Sequence, residues 1–228
     1  MLLAGEDIPG DEGRAANDLL REVIRGYPAQ NLSRLIHSDR ATAVASGASV
    51  VSELRAQAAQ IIDEVDFLLG HPLRDARFDA LDAALTAASA EHGVTLAKAV
   101  MLVDDADRAV RWKAVRFLAN ATPDQLIAAA PYLEDRHVAD LVTWLASAGS
   151  DPASLPDIRG RLQDPDKATR MFAAAAAARV VATSRQGLEG AAASDDPDVR
   201  SFAEGEIEML DFRQQVRAEQ EQRRRDRG

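Results

Sequence analysis

The sequence predicts an all-α fold, a right-handed α-α superhelix of about six helix pairs, and three observations carry that prediction. The first is a recurring phrase: a leucine or serine, an acidic or proline-bearing turn, an arginine, then an alanine-rich helical run. It runs from Leu69 to Ala80 around Arg77, from Leu102 to Ala114 around Arg111, from Leu162 to Ala173 around Arg170, and from Ser194 to Ala203 around Arg200. A phrase returning at intervals of about 30 residues marks stacked helical hairpins, each burying its apolar face against its neighbours. The second is composition. Hydrophobic residues make up 46% of the chain but aromatics only 4%, so the apolar content is mostly Ala, Leu and Val, and alanine both favours helix and lets helices approach closely. The third is periodicity: apolar stripes such as Ile61, Ile62, Val65, Leu68 and Leu69 recur at helical spacing and demand burial on one side.

In chain order, residues 1–13 are polar, hold Pro9, Gly10 and Gly13, and are expected to be disordered. Residues 14–37 supply two capping helices, the first ended by Gly26-Tyr27-Pro28, since glycine suits a helix C-cap and proline cannot continue the ladder. Residues 38–212 form the repeat domain. Its pairs are Ala41–Leu54 with Ala56–Leu69, Leu73–Ala90 with Thr95–Leu102, Asp107–Asn120 with Pro123–Leu133, Arg136–Ala148 with Ser154–Leu162, and Asp166–Ala182 with Ser184–Ala192. A last helix opens at Asp195 and leads into residues 213–228, a charged helix end or tail. Thr122 followed by Pro123 is a strong helix start, an N-cap hydroxyl and then proline in the first turn. The fourth pair is degenerate, with Asp140 standing where the arginine is expected. With no Gly/Ser-rich linker, the pairs are expected to form one continuous superhelix.

The recurring phrase has a physical reading. Aspartate before a helix accepts bonds from its unpaired N–H groups and complements the positive end of its dipole. Alanine three residues after the arginine leaves room for the neighbouring repeat, and the arginine can reach the aspartates of its own turn or an adjacent one.

These units resemble HEAT-type repeats of the short bacterial kind. The residues carrying the resemblance are Asp107, Val110, Arg111 and Ala114; Asp164-Pro165-Asp166, Arg170 and Ala173; and Asp196-Pro197-Asp198-Val199-Arg200 with Ala203. The resemblance covers about 31–210 and implies the superhelical fold, but HEAT repeats serve many functions. A second echo lies in Leu32-Ser-Arg-Leu35-Ile36-His-Ser38-Asp39, Gly47, Ser52-Glu53-Leu54 and Leu68-Leu69-Gly-His71-Pro72. It is similar to small HEAT-like proteins found beside bacterial toxin genes, and implies an immunity protein that binds a cognate toxin.

Charge narrows the partner. The net charge is -10, yet Arg213 to Gly228 carry six arginines against Glu219, Glu221 and Asp226, so the rest of the chain holds -13. An acidic body repels phosphate backbones and suits a basic protein. HEAT concave faces are usually lined by the second helix of each pair, so Asp63, Glu64, Asp66, Asp124, Glu134 and Asp157 are expected to face that partner. Trp112 and Trp144, with Asp140, share a ridge on the first helices. They serve either as binding anchors or as packing between repeats.

Two other function classes stay open: a structural, self-associating scaffold, and an enzyme like the HEAT-like DNA glycosylases that use Trp, Asp and Arg on a basic face. No nucleotide-binding, nucleophile-elbow or metal motif supports catalysis. The four histidines, His37, His71, His92 and His137, have no ligand spacing, so no metal or cofactor is expected. The absence of cysteine rules out disulfides and fits a reducing, cytoplasmic setting. Residues 1–13 lack the pattern of a signal peptide, and no apolar run is long enough to span a bilayer.

Overall fold

The structure, a computed structural model, describes residues 11–148, 152–180 and 185–225. The described residues are helical or in turns throughout, with no strand among them. Thirteen α-helices follow one another: α1 (Asp11–Ile24), α2 (Ser33–Ile36), α3 (Ala41–Glu53), α4 (Ile62–Leu69), α5 (Arg74–Ala87), α6 (Gly93–Met101), α7 (Arg108–Asn120), α8 (Pro123–Ala129), α9 (Arg136–Ala148), α10 (Leu155–Leu162), α11 (Lys167–Arg179), α12 (Gln186–Ala192) and α13 (Pro197–Arg225). The chain divides into two compact units, Met1–Ala146 and Ser147–Gly228, where the sequence led us to expect one uninterrupted array. The division falls within the last turn of α9, the helix whose anchor position, identified below, carries no guanidinium. Of the segment expected to be disordered, residues 1–10 lie outside the described residues, and Asp11–Gly13 already belong to α1.

In the first unit the helices form two layers. The first helices stack in the order α1, α3, α5, α7, and the second helices in the order α2, α4, α6, α8. In the second unit α11 packs on α13 in one layer and α10 on α12 in the other. The alanines three places after each arginine make this spacing possible: Ala80, Ala114, Ala173 and Ala203 are completely buried. In α3 the equivalent residue is Gly47, where even a methyl group would press on Leu35 and Ile36 at 3.1 and 3.2 Å.

The opening turns are built to one plan. The side chain two residues before each N-cap accepts a hydrogen bond from the N-cap amide: Ser38 from Arg40, His71 Nδ1 from Leu73, Asp105 from Asp107, Asp164 from Asp166 and Ser194 from Asp196. Aspartate N-caps then take up the first free amides of the helix, Asp107 from Ala109 and Val110, Asp166 from Thr169, and Asp196 from Asp198 and Val199. In α9 that work falls to Asp135, which accepts from His137 and Val138. The first helical bond of α9 runs from Ala139 to Asp135, as those of α7, α11 and α13 run from Arg111, Arg170 and Arg200 to their caps. The anchor position of this repeat is therefore Ala139, one residue earlier than the Asp140 read from the sequence.

The anchor arginines bind their own turn and the next. Arg77 donates from Nη1 to the carbonyls of His71 and Pro72, and through Nε and Nη2 to both oxygens of Asp105 at 2.6 and 2.9 Å. Arg170 donates to the carbonyls of Asp164 and Pro165 and clamps Asp196 at 2.6 Å. Burial alone would raise the pKa of Asp196, but the Arg170 guanidinium and the amides of Asp198 and Val199 outweigh it and hold the carboxyl below its usual value. Helix ends elsewhere are closed with equal economy. Thr122 caps α8 ahead of Pro123 as expected and forms a capping box with Gln125, and the Gln125 carboxamide also donates to the carbonyls of Leu85 and Ala88 at the end of α5.

Several helices begin or end away from their expected bounds. The pair member expected over Ala56–Leu69 opens as a 3-10 segment, Arg55–Ile61, before α4. The helix expected to Leu133 tightens into a 3-10 turn at Ala130–Tyr132. The helix expected from Thr95 begins at Gly93, where a Cβ would collide with the Tyr132 ring and lie 2.5 Å from the Ala128 carbonyl.

Two predictions follow from this packing. Arg77→Ala removes the guanidinium from the buried Asp105 carboxylate, leaving it only the Asp107 amide, and takes the side-chain donor from two carbonyls; it should cost about 3 kcal/mol in urea unfolding at neutral pH, with Arg77→Lys recovering less than half because an ammonium cannot make the bidentate pair. Gly93→Ala forces Tyr132 and the Ala128 peptide apart and should cost about 1–3 kcal/mol in the same measurement.

Candidate protein-binding face

The second-helix layer of the first unit presents outward positions at i, i+4 and i+7 or close to it. They are Asp63, Phe67 and Gly70 on α4; Val94, Lys98 and Met101 on α6; and Asp124, Ile127 and Pro131 on α8 and its 3-10 extension, all exposed. The opposite sides of these helices supply the core, with Val65, Leu68, Leu96, Val100, Leu126 and Ala129 fully buried or nearly so. Apart from Asp63, Lys98 and Asp124 the outward row is apolar. Phe67, Val94, Met101, Ile127 and Tyr132 are 40–58% exposed. Exposed apolar residues standing singly are ordinary, but a group on three neighbouring helices is the mark of an interaction surface. The Phe67 ring is held from both sides, by His37 with ring centres 4.3 Å apart and by His71 at 5.6 Å. Tyr132 is held by its seat over Gly93.

The sequence pointed to carboxylates on this layer, and the structure separates them into two kinds. Asp63, Asp124 and Glu134 are exposed and form no ion pair among the described residues. Glu64 and Asp66 are internal ties instead: Glu64 binds His37 Nε2 at 2.7 Å, and Asp66 binds Lys98 Nζ at 2.5 Å and the Thr95 hydroxyl at 3.3 Å. Their charges are engaged between neighbouring second helices, unlike those of Asp63, Asp124 and Glu134. Asp157 belongs to the second unit, where it is exposed and pairs with Arg161 one turn on. Trp112, Asp140 and Trp144 are on α7 and α9, helices with the opening turn of the first layer, and so do not join the second-helix row. Trp112 is half-buried with the Arg116 guanidinium 5.7 Å from its ring, Trp144 is half-buried, and Asp140 is exposed.

Sequence reasoning missed the apolar row because it looked to charge on these helices and left apolar residues outside the core stripe, such as Phe67, unassigned. The signal is nonetheless present. Phe67 is out of phase with Val65 and Leu68, and Ile127 stands one residue past the buried Leu126, 100° away around the helix.

The first unit also holds a cavity of about 440 Å³ between α1, α3 and α5, lined by Ala16, Ala45, Ser46, Ser49, Arg74, Asp75, Phe78 and Asp79. The position two residues after the anchor, filled by the fully buried Phe172 and Phe202 in the second unit, is polar here: Ser46 in α3 and Asp79 in α5, which line the cavity, and Lys113 in α7. Lys113 is buried, pairs with Asp82 at 2.5 Å and stands 4.6 Å from the centre of the Phe78 ring. Asp79 makes no hydrogen bond among the described residues. Burial pushes its carboxyl up to about 6, with Asp82 and Asp75 adding to the rise and Lys113 and Arg74 opposing it. No group of three or more potential metal ligands occurs among the described residues, and no described helix is long and apolar enough to cross a membrane.

No protein-family profile matches the sequence, and no curated protein does. Among solved structures the chain is similar to the archaeal HEAT-like repeats protein from Thermococcus onnurineus NA1, at 13% identity and a TM-score of 0.47 over 89% of this chain and 93% of that one. The description of this chain as a helical repeat protein stands on its own helix order and its repeated opening turns.

The raised carboxyl of Asp79 gives a signed pH prediction. An acid that holds its proton to about pH 6 when folded and to 3.8 when unfolded makes the fold lose stability as pH rises through that window, because the unfolded state ionises first. Asp79→Asn should therefore match the parent near pH 4 and exceed it increasingly up to pH 6, with a constant advantage above. Urea midpoints across pH 4–8 check this.

Proposed function

We propose that this chain is a non-catalytic protein-binding module that engages its partner through the second-helix face of the first unit. The single observation that carries the reading is the row Phe67, Val94, Met101, Ile127 and Tyr132 on neighbouring helices of one rigid layer. Aromatic and long apolar side chains of this kind supply most of the binding energy at interfaces, with a polar rim excluding water. The rim here is acidic. Asp63, Asp124 and Glu134 retain unpaired charges, whereas Lys98 is neutralised by Asp66. The partner that fits is a protein presenting apolar side chains ringed by lysine or arginine, and a cationic toxin domain neutralised by this chain is the sharpest form of the proposal. Carboxylates on the rim raise the association rate and make it sensitive to salt.

The test is a comparison of baits in lysate of the native organism. The parent chain should retain a basic protein that a Phe67→Asp, Met101→Asp, Ile127→Asp variant loses, while an Asp140→Asn, Asp157→Asn variant keeps it. Hydrogen exchange of the purified complex should then show protection on α4, α6 and α8. Retention by the apolar-face variant, protection elsewhere, or no retained protein overturns the assignment. A partner bound at this face should also associate at least ten-fold more slowly in 0.5 M salt than in 0.05 M.

A further inference from the structure

The cavity between α1, α3 and α5 gathers polar groups that the fold itself does not use. Two residues after the anchor, α9, α11 and α13 place Leu141, Phe172 and Phe202, all buried. α3 and α5 place Ser46 and Asp79 there instead, and both line the cavity. Ser46 is only 9% exposed. Its hydroxyl, like the Asp79 carboxylate, makes no hydrogen bond among the described residues. Buried polar groups are nearly always partnered, by protein, water or ligand.

The charges nearby are spent on one another and leave Asp79 without a counter-ion. Arg74 is engaged by Asp75 and, at 3.6 Å, by Asp107, and Lys113 is engaged by Asp82 at 2.5 Å. Two cations therefore face four carboxylates, Asp75, Asp79, Asp82 and Asp107, a local net of -2. α1 and α3 add Ala16, Ala45, Ser46 and Ser49 to the lining and no charge. Ala16, Ala45 and the Phe78 ring supply apolar wall. A volume of about 440 Å³ lies in the range of small-ligand sites. What this lining lacks is a cation with N–H donors.

Asp79 is also costly to keep. Burial pushes its carboxyl up to about 6, so near neutral pH the fold is weakened by a residue whose place phenylalanine fills elsewhere. Chains retain such a cost where a function needs it.

We propose that the cavity between α1, α3 and α5 binds a small primary aliphatic amine in its ammonium form, with N–H donors meeting the Asp79 carboxylate and the Ser46 hydroxyl and the carbon chain lying along Ala16, Ala45 and Phe78. An anion is repelled by the local charge, and a quaternary ammonium has no N–H to donate. Binding requires the ionised carboxylate. With a pKa of about 6, the ionised fraction rises about ten-fold between pH 5 and pH 7, while the amine stays protonated throughout. The affinity follows that fraction. The site is separate from the partner-binding face proposed above and does not rest on it.

Isothermal titration calorimetry of the full chain with putrescine tests the proposal. The expected result is one saturable site with a Kd below about 1 mM at pH 7, about ten-fold weaker at pH 5. At pH 6 binding should release protons, read as a heat that changes with the ionisation enthalpy of the buffer. Butylamine should also bind, and tetramethylammonium and butyrate should not. Asp79→Asn should abolish binding, and since that variant is expected to be at least as stable as the parent, unfolding does not account for the loss. Ser46→Ala should weaken binding several-fold, and Asp140→Asn, outside the cavity, should leave it unchanged. No saturable heat up to about 10 mM putrescine means that the cavity holds water only and overturns the proposal. Equal binding of tetramethylammonium, equal affinity at pH 5 and pH 7, or binding retained by Asp79→Asn overturns it as well.

Discussion

A guanidinium has five N–H donors in a fixed plane, and the anchor arginines use that plane to join two turns that are far apart in sequence. One edge of Arg77 takes the carbonyls of the turn that begins its own helix, and the other takes the carboxylate of the turn that begins the next first helix. Arg170 does the same with Asp196. The carboxylates at the receiving end, Asp105 and Asp196, are simultaneously accepting backbone amides of their own turns. Capping, turn geometry and the spacing of neighbouring first helices are therefore one network. Alanine at the third position lets the helices come close enough for the arginine to reach.

The second layer uses weaker and more varied ties, His37 with Glu64 and Asp66 with Lys98. Its helices are short and several open or close through 3-10 turns. That difference suits a division of labour. The first helices hold register through buried charge pairs, and the second helices are free to present side chains outward. The proposed partner-binding face is thus mounted on a scaffold whose geometry is set one layer below it, which would keep its apolar side chains preorganised.

Much of this was legible in the sequence. The all-helical fold, the helix pairs, the capping turn at Thr122 and the arginine reaching to an adjacent aspartate all follow from local chemistry that recurs. The exact anchor of the fourth repeat did not, because an aspartate beside the right position imitates a substitution when the cap, Asp135, is not recognised. The division into two units was illegible too, since nothing in composition marks residue 146. The candidate face was half legible. Charge pointed to the second-helix layer, but sequence cannot tell a carboxylate that meets solvent, such as Asp63, from one consumed by a neighbour 32 residues away, such as Asp66. Nor does it show that Asp79 occupies a core-facing place where other repeats carry phenylalanine, since its buried setting is created by α1 and α3.

The Gln125 carboxamide has a consequence for how such a protein can change length over evolution. It closes the end of α5, a helix belonging to the preceding hairpin. Excising a single hairpin would leave the Leu85 and Ala88 carbonyls facing an interior with no donor, and duplicating one would present the amide to a terminus of different shape. Growth or shrinkage by a single repeat is therefore penalised at this junction.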